Sequence, residues 1–165
     1  MAMRTLIPLA LALSLGAACA TSSVEPRTHA TPVNADTIVS TKGRWRATMI
    51  AFLGDTLDRQ VAGSAYMARG SLPRTTVVMV YILGATPLRT HPWSLHRGRC
   101  GADKGAVSER TYYPPLLVDS DGQSAGDVTL DLTTPGRGDY FVAVYAASTD
   151  METVIACGQL VPPVP

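Results

Sequence analysis

The stretch Thr75-Thr76-Val77-Val78-Met79-Val80-Tyr81-Ile82-Leu83 is apolar at consecutive positions from Val77 onward. Successive side chains of a β-strand point to opposite faces, so a continuous apolar run places apolar groups on both faces. We therefore expect residues 75–83 to form a central strand of a sheet.

Stretches on either side of this strand have a period of two. The segment Arg44-Trp45-Arg46-Ala47-Thr48-Met49 alternates polar with apolar residues, which predicts a strand with one apolar face. That face comprises Trp45, Ala47, Met49 and Ala51. Residues 60–69 continue the pattern with Val61, Ala65 and Met67, and Gly63 among them predicts a bulge or a close approach of two backbones.

Further short strands are predicted at residues 92–96, 115–119, 127–132, 139–145 and 153–160. About eight short strands separated by Gly, Pro and Asp clusters, with no convincing helix, indicate an all-β domain. We expect a Greek-key β-sandwich or flattened barrel of antiparallel strands with one disulfide. Residues 97–114 lack a strand pattern and are predicted to form an irregular or functional loop.

The first residues resemble a bacterial export signal. Arg4 precedes a short apolar stretch from Leu6 to Leu15, which is too short to cross a bilayer that needs roughly 20 residues. Leu15-Gly16-Ala17-Ala18-Cys19 resembles a lipoprotein signal whose cysteine becomes lipid-modified, and Ala18-Cys19-Ala20 alternatively fits an ordinary cleavage site. We expect a signal peptide of lipoprotein type at 1–19, with Cys19 as the lipidation site that anchors the chain to a membrane.

The remaining chain divides into a flexible tether at 20–42, a β-domain at 43–161 and a tail at 162–165. The tether is predicted from its Ser, Thr, Pro and Glu content and its few bulky apolar residues. Lys and Arg number 14 and Asp and Glu number 13, so loss of Arg4 with the signal leaves 14 − 1 = 13 positive against 13 negative residues. This balance argues against a nucleic-acid partner. The predicted location is the cell envelope, the periplasm or the outside of a bacterial cell.

Three cysteines occur in the chain, and two remain if Cys19 leaves with the signal or carries lipid. Cys100 and Cys157 then form an even pair in an oxidising compartment, where a disulfide is the default expectation. The alternative is two unrelated buried thiols. A bond between them would close a loop of 157 − 100 = 57 residues, which is worth about 4 kcal/mol in the chain-entropy model.

Several of these residues together resemble the copper/zinc superoxide dismutase superfamily, and more closely its secreted bacterial relatives with a shortened metal loop. The matching segments are His91-Pro92-Trp93-Ser94-Leu95-His96, Cys100, Tyr113-Pro114-Pro115-Leu116 and Ala156-Cys157-Gly158. The resemblance runs loosely from about residue 44 to residue 160. It implies a Greek-key sandwich and a copper site formed by several imidazoles.

The same resemblance implies that the copper ligands have been substituted. Ser94 and His96 stand at the two alternating positions where the family has copper-binding histidines, and Tyr145 stands at a later one. His91 falls where the family has a structural histidine that binds no metal. The chain holds three histidines in all, including His29 in the tether, so no zinc-binding loop follows His96.

Two functional hypotheses follow. The first is an exported dismutase-like module without dismutase activity or cofactor, which binds an unknown protein or small molecule or fills a structural role. The second is a copper-binding or superoxide dismutase-like metalloprotein that holds copper or zinc through His91, His96 and Tyr145, because copper prefers imidazole or sulfur ligands. Met49, Met67 and Met79 offer sulfur, but methionines on strands are typical of a core.

Ser94 and His96 are also compatible with two other interpretations. His96 at a strand end is expected to hydrogen-bond across the sandwich. A hydrolytic pair of Ser94 and His96 is not favoured, since we identify no carboxylate to orient the histidine and no nucleophile-elbow sequence.

Overall fold

The computed structural model describes residues 43–51 and 61–164. The predicted signal peptide, Cys19 and the tether at 20–42 lie outside these residues. Regular structure within them is almost entirely β, with one short 3-10 turn at Arg110–Tyr112. No helix in this part of the chain has the length and hydrophobicity needed to cross a membrane.

Ten strands form the domain. They are β1 (Trp45–Ala51), β2 (Ala62–Arg69), β3 (Thr76–Leu83), β4 (Thr90–His91), β5 (Trp93–Arg99), β6 (Ala102–Ala106), β7 (Leu116–Leu117), β8 (Ser124–Leu130), β9 (Tyr140–Ala147) and β10 (Asp150–Leu160). Eight of them make one antiparallel sheet in the order β6-β5-β9-β10-β1-β2-β3-β8, and β4 pairs with β7.

The sheet curls because β1 belongs to both of its halves. Trp45 to Met49 pair with β2, whereas Ile50 and Ala51 pair with β10. The chain passes from β3 to β5, and from β8 to β9, between the two halves, which is a Greek-key connection. The all-β, eight-stranded antiparallel fold predicted from the sequence is confirmed.

The main core lies between the two halves of the sheet. Trp45, Met49, Met67, Trp93 and Leu95 are among its largest fully buried side chains. Alternation in β1 is confirmed at its first three inward positions, but Ala51 is exposed because it is the last residue of the strand, past the change of partner.

Gly63 of β2 lies in a close backbone approach, as expected. A Cβ at this position would overlap the carbonyl oxygen of Tyr81 on β3. Only glycine therefore allows β2 and β3 to keep their spacing here.

The prediction that residues 75–83 form a central strand is confirmed, but the apolar run does not mean that both faces of β3 are covered. The strand is central, since it pairs with β2 and β8, but Met79, Tyr81 and Leu83 are exposed. An antiparallel sheet of a sandwich packs only one face against the core. Met49 and Met67 are core residues, and Met79 faces outward, so the three sulfurs do not share one environment.

The functional or irregular loop predicted at 97–114 is in part a regular hairpin, and only the stretch after Ala106 is irregular, with the 3-10 turn at Arg110–Tyr112. Strand β5 continues to Arg99 and returns as β6, with Gly98 opposite Asp103 and Arg99 opposite Ala102. Gly98 and Gly101 have φ angles of 99° and 82°, which L side chains rarely adopt. These glycines produce the hairpin that places β6 beside β5.

The disulfide between Cys100 and Cys157 is confirmed, with a Cα–Cα distance of 6.1 Å. It joins the turn between β5 and β6 to the last strand. The side chain of Gln159 supports the same turn, because its Oε1 accepts from the Cys100 N–H at 3.2 Å and its Nε2 donates to the Tyr140 carbonyl at 2.8 Å.

Reduction of this disulfide should destabilise the domain. The bond closes a loop of 57 residues, so its loss should lower the free energy of unfolding by about 4 kcal/mol. Urea unfolding of the oxidised chain, the reduced chain and a Cys100→Ser, Cys157→Ser variant measures this difference. Equal midpoints for the oxidised chain and the double variant would contradict it.

Candidate functional site

A second, smaller cluster lies on the outer face of strands β5, β9 and β10. Ser94 and His96 of β5 are two residues apart and share this face, opposite to Trp93 and Leu95 in the main core. Ser94 pairs in register with Ala143 of β9, and His96 pairs with Phe141. We call Ser94, His96, Phe141, Ala143, Tyr145 and Cys157 the outer-face cluster.

His96 is the centre of this cluster and is fully buried. Its ring stacks on Phe141 with the centroids 5.0 Å apart. Its Nδ1 lies 2.9 Å from Oδ1 of Asp103. A carboxylate only accepts hydrogen bonds, so Nδ1–H is the donor and Nε2 carries the lone pair.

Two hydroxyl groups compete for the lone pair on Nε2 of His96. The Tyr145 hydroxyl lies 2.7 Å from this nitrogen, and the Ser94 hydroxyl lies 2.8 Å from it. A single lone pair accepts one strong hydrogen bond. Because Ser94 also donates to the Tyr145 oxygen at 3.4 Å, we assign the hydrogen bond to Nε2 to Tyr145.

The result is a continuous series of hydrogen bonds from Ser94 through Tyr145 and His96 to Asp103. Asp103 is fixed in turn by the Gly105 N–H, which donates to its Oδ1 at 2.7 Å. The Asp103 side chain is about half exposed, with a relative accessibility of 49%. The series therefore runs from a buried hydroxyl to a solvent-facing carboxylate.

Burial and hydrogen bonding shift the ionisation of this series. Burial lowers the pKa of the His96 imidazole, and the hydrogen bond and charge of Asp103 only partly offset this effect. Partial burial would raise the pKa of the Asp103 carboxyl, but hydrogen bonds from Gly105 and His96 outweigh it and lower the pKa. Burial raises the pKa of the Tyr145 phenol, against the opposing hydrogen bond of Ser94. The favoured state is a neutral imidazole between a carboxylate and a neutral phenol.

A groove of about 250 Å³ lies above the cluster. It is lined by Asp103, Arg110, Phe141, Tyr145, Met151 and Glu152, among others. The guanidinium carbon of Arg110 lies 5.2 Å from the centroid of the Tyr145 ring, within the range of a cation–π interaction. Ser94 and His96 lie below the groove and do not line it.

His91 supports the site from the other side of Tyr145. Its Nδ1–H donates to the backbone carbonyl of Tyr145 at 3.0 Å, and its ring is buried. Its Nε2 has no hydrogen-bond partner among residues 43–51 and 61–164. Of the predicted metal ligands, the fold brings the side chains of His96 and Tyr145 into contact, whereas His91 contacts Tyr145 through the backbone.

Asp103 is the residue that sequence reasoning missed. We expected no carboxylate to orient His96, and this expectation is wrong because the β5–β6 hairpin places Asp103 on its Nδ1. Gly98, Gly101 and Gly105 are the signal that could have indicated the hairpin.

Ser94, His96 and Asp103 have the hydrogen-bond spacing of an acyl-transfer triad, at 2.8 Å and 2.9 Å. Ser94 is fully buried, however, so no substrate carbonyl reaches its oxygen. Burial rather than spacing argues against hydrolysis by Ser94.

Metal donors are sparse within the described residues. Residues 43–51 and 61–164 contain no group of three or more His, Cys, Asp or Glu side chains that could hold a metal ion. His96 is the one imidazole in the outer-face cluster, where Ser94 and Tyr145 offer hydroxyls and the sulfur of Cys157 is held in the disulfide. Compared with models of protein families and with curated proteins, the chain has no significant match.

The buried imidazole should make folding stability depend on pH. The pKa of His96 lies below 6.5 in the folded state, so as the pH falls below 6.5 the unfolded chain takes up a proton first, and stability decreases towards the lower folded pKa. Asp103 adds a further loss of folding stability below pH 3.8, since its pKa in the folded state is also lowered. Urea unfolding at a series of pH values measures this dependence.

A His96→Gln variant is the control for this dependence, because glutamine keeps polar contacts but does not titrate. Its stability should vary less between neutral pH and about 5 than that of the unchanged chain. An identical slope in both proteins over this interval would contradict the assignment to His96.

Proposed function

We propose that this chain is an exported, lipid-anchored β-sandwich module, related in fold to the copper/zinc superoxide dismutases but without dismutase activity. It binds a protein or small-molecule ligand, or fills a structural role, in the cell envelope. The observation that carries this proposal is that both ring nitrogens of His96 are engaged by protein side chains, Asp103 on one and Tyr145 with Ser94 on the other.

The fold relationship is supported by strand order and by the disulfide. The strand that carries His96 lies next to β9, which carries Tyr145, and β10 follows on the other side of β9. The disulfide ties the turn after β5 to β10. Cys100 and Cys157 are among the residues that carry the resemblance, and their pairing is consistent with it.

The donor set does not fit a dismutase copper site. Copper that changes oxidation state prefers imidazole or sulfur ligands, and at least three such groups around an open position are needed. The outer-face cluster supplies one imidazole, a phenol and an aliphatic hydroxyl in place of them. The Tyr145 hydroxyl instead occupies the lone pair of His96 that a metal would need, and Ser94 donates to that hydroxyl.

A binding role is supported by the groove above the cluster. Its floor includes the aromatic residues Phe141 and Tyr145, and its rim carries charges of both signs from Asp103, Arg110 and Glu152. Concave sites of this composition suit a ligand with an apolar body and polar substituents. The envelope location is supported by the segment from Leu6 to Cys19 alone.

A second candidate function is copper binding through His91, His96 and Tyr145. One observation favours it: the buried Nε2 of His91 has no hydrogen-bond partner within the described residues. Buried polar atoms in proteins are nearly always partnered, so an unpartnered ring nitrogen is consistent with an additional ligand.

Metal titration separates these two candidates. The purified chain, with its disulfide formed, is equilibrated with copper(II) or zinc(II), freed of loosely held ions and assayed for metal per chain, melting temperature and superoxide consumption. We expect metal well below one ion per chain, no rise in melting temperature and no superoxide consumption, because ligands that bind only the folded state would stabilise it.

The matched variant for this titration is His96→Gln. Near-stoichiometric copper that disappears in this variant would favour the second candidate, and copper with superoxide turnover would overturn the proposal. Copper that is retained in the variant would show that His96 is not a ligand.

Lipid anchoring is tested separately in a bacterial host. The full chain should incorporate a fatty-acid label and partition with the membrane fraction, because the lipid supplies about 0.8 kcal/mol of membrane affinity per buried methylene. A Cys19→Ser variant should lose both the label and the membrane association. Equal membrane recovery of the two proteins would contradict anchoring through Cys19.

A further inference from the structure

Tyr145 differs from the other tyrosines of the described chain in the partner of its hydroxyl. Its oxygen lies 2.7 Å from Nε2 of His96, whereas the hydroxyl of Tyr113 is paired with Ser108 and that of Tyr81 with Gln123. A phenol becomes a much stronger reductant when a base receives its proton as the electron leaves. We propose that Tyr145 is a redox-active tyrosine that gives one electron to a small organic radical, the one-electron oxidant, in the groove while His96 takes its proton.

The step balances within the outer-face cluster. The oxidant gains one electron, Tyr145 loses one, the Oη–H bond breaks and an N–H bond forms at Nε2 of His96. The products are a neutral phenoxyl radical and an imidazolium. A small one-electron reductant, such as a thiolate or an enediol, returns the electron, and the proton then moves back from Nε2 to Oη.

Asp103 prepares His96 for this role. Because Nδ1–H donates to the Asp103 carboxylate at 2.9 Å, Nε2 is the nitrogen with the free lone pair, and it faces the phenol. After proton transfer the imidazolium remains paired with a carboxylate at hydrogen-bond distance, which stabilises its charge. The cluster therefore contains a donor, an acceptor and a counter-charge in contact with one another.

The positive charge of Arg110 favours simultaneous loss of the proton and the electron from the Tyr145 phenol. Its guanidinium lies 5.2 Å from the Tyr145 ring centroid, where a positive charge opposes the formation of a cationic phenol radical. A neutral phenoxyl avoids this repulsion, and it forms only if the proton leaves with the electron. The proton moves to His96, away from the ring.

Burial selects electron transfer over covalent chemistry at Tyr145. The residue is only 3% exposed, which leaves little surface for an electrophile to attack. Electron transfer needs only contact with the ring, and Tyr145 lines the groove that an oxidant can enter. The same burial keeps two phenoxyl radicals from meeting and coupling.

The test uses the purified chain and a ruthenium polypyridyl complex that is oxidised by a light flash. Electron paramagnetic resonance then records the radical in protein made with ring-deuterated or ordinary tyrosine. We expect a radical at Tyr145 that forms before the radicals of exposed tyrosines and lives longer than they do. Its spectrum should show a coupling to the exchangeable proton on Nε2 of His96. A radical at Tyr145 without this coupling would overturn proton transfer to His96, even if no variant folds.

Matched variants assign the radical. Tyr145→Phe removes only the hydroxyl and should abolish the long-lived signal. Tyr113→Phe is the control, because Tyr113 is similarly buried at 5% exposure but its hydroxyl pairs with Ser108 rather than with a histidine. A long-lived signal that persists in Tyr145→Phe, or that disappears in Tyr113→Phe, would overturn the assignment.

His96→Gln tests the base. Loss of a positioned base should slow formation of the radical by about 100-fold, and in the unchanged chain the rate should fall in heavy water. Circular dichroism and the intact disulfide confirm that the variant is folded. An unchanged rate in folded His96→Gln would overturn the role of His96, whatever the outcome of the metal titration.

Discussion

The disulfide between Cys100 and Cys157 holds the turn between β5 and β6 against the last strand, and the outer-face cluster depends on that attachment. The turn carries the chain back along β5, which brings Asp103 to the ring of His96. Cys157 is itself a member of the cluster, next to Ala143 in the register of β9 and β10. The disulfide therefore stabilises the domain and also holds the hairpin that positions the Asp103 carboxylate. Strand β6 of this hairpin has few apolar side chains that could pack against the rest of the domain.

Burial of the imidazole sets the chemistry of the cluster. Removing His96 from water disfavours its charged form, and this effect exceeds the attraction of Asp103, which remains half exposed. The outcome is a neutral ring with one donor and one acceptor nitrogen, each with a partner of the matching kind. A metal ion would have to displace the Tyr145 hydroxyl from that acceptor. Both ring nitrogens of His96 have hydrogen-bond partners. The histidine can therefore be buried on the outer face with only a moderate loss of folding free energy.

Periodicity predicted most of the fold, and it predicted that Ser94 and His96 share a face, because side-chain direction in a strand follows from position alone. It did not predict exposure: Met79, Tyr81 and Leu83 form an apolar row that faces outward on β3. Nor did it predict β6, whose sequence Ala102-Asp103-Lys104-Gly105-Ala106 has no alternation and relies on positive φ at neighbouring glycines. Asp103 was missed for that reason, and with it the orientation of His96. Contacts that depend on backbone turns are harder to predict from the sequence than contacts that depend on the alternation of buried residues.

Accessibility, more than spacing, distinguishes the chemistries compatible with the outer-face cluster. Hydrolysis requires an exposed nucleophile, and Ser94 has no exposed surface. Copper turnover requires several imidazoles around an open position, and the cluster contains one whose lone pair is occupied. Ligand binding uses only the groove surface, and electron transfer uses only Tyr145, which lines the groove. Both activities are compatible with the intact series of hydrogen bonds from Ser94 to Asp103. Neither requires a ligand atom to bond to the Ser94 hydroxyl or to Nε2 of His96.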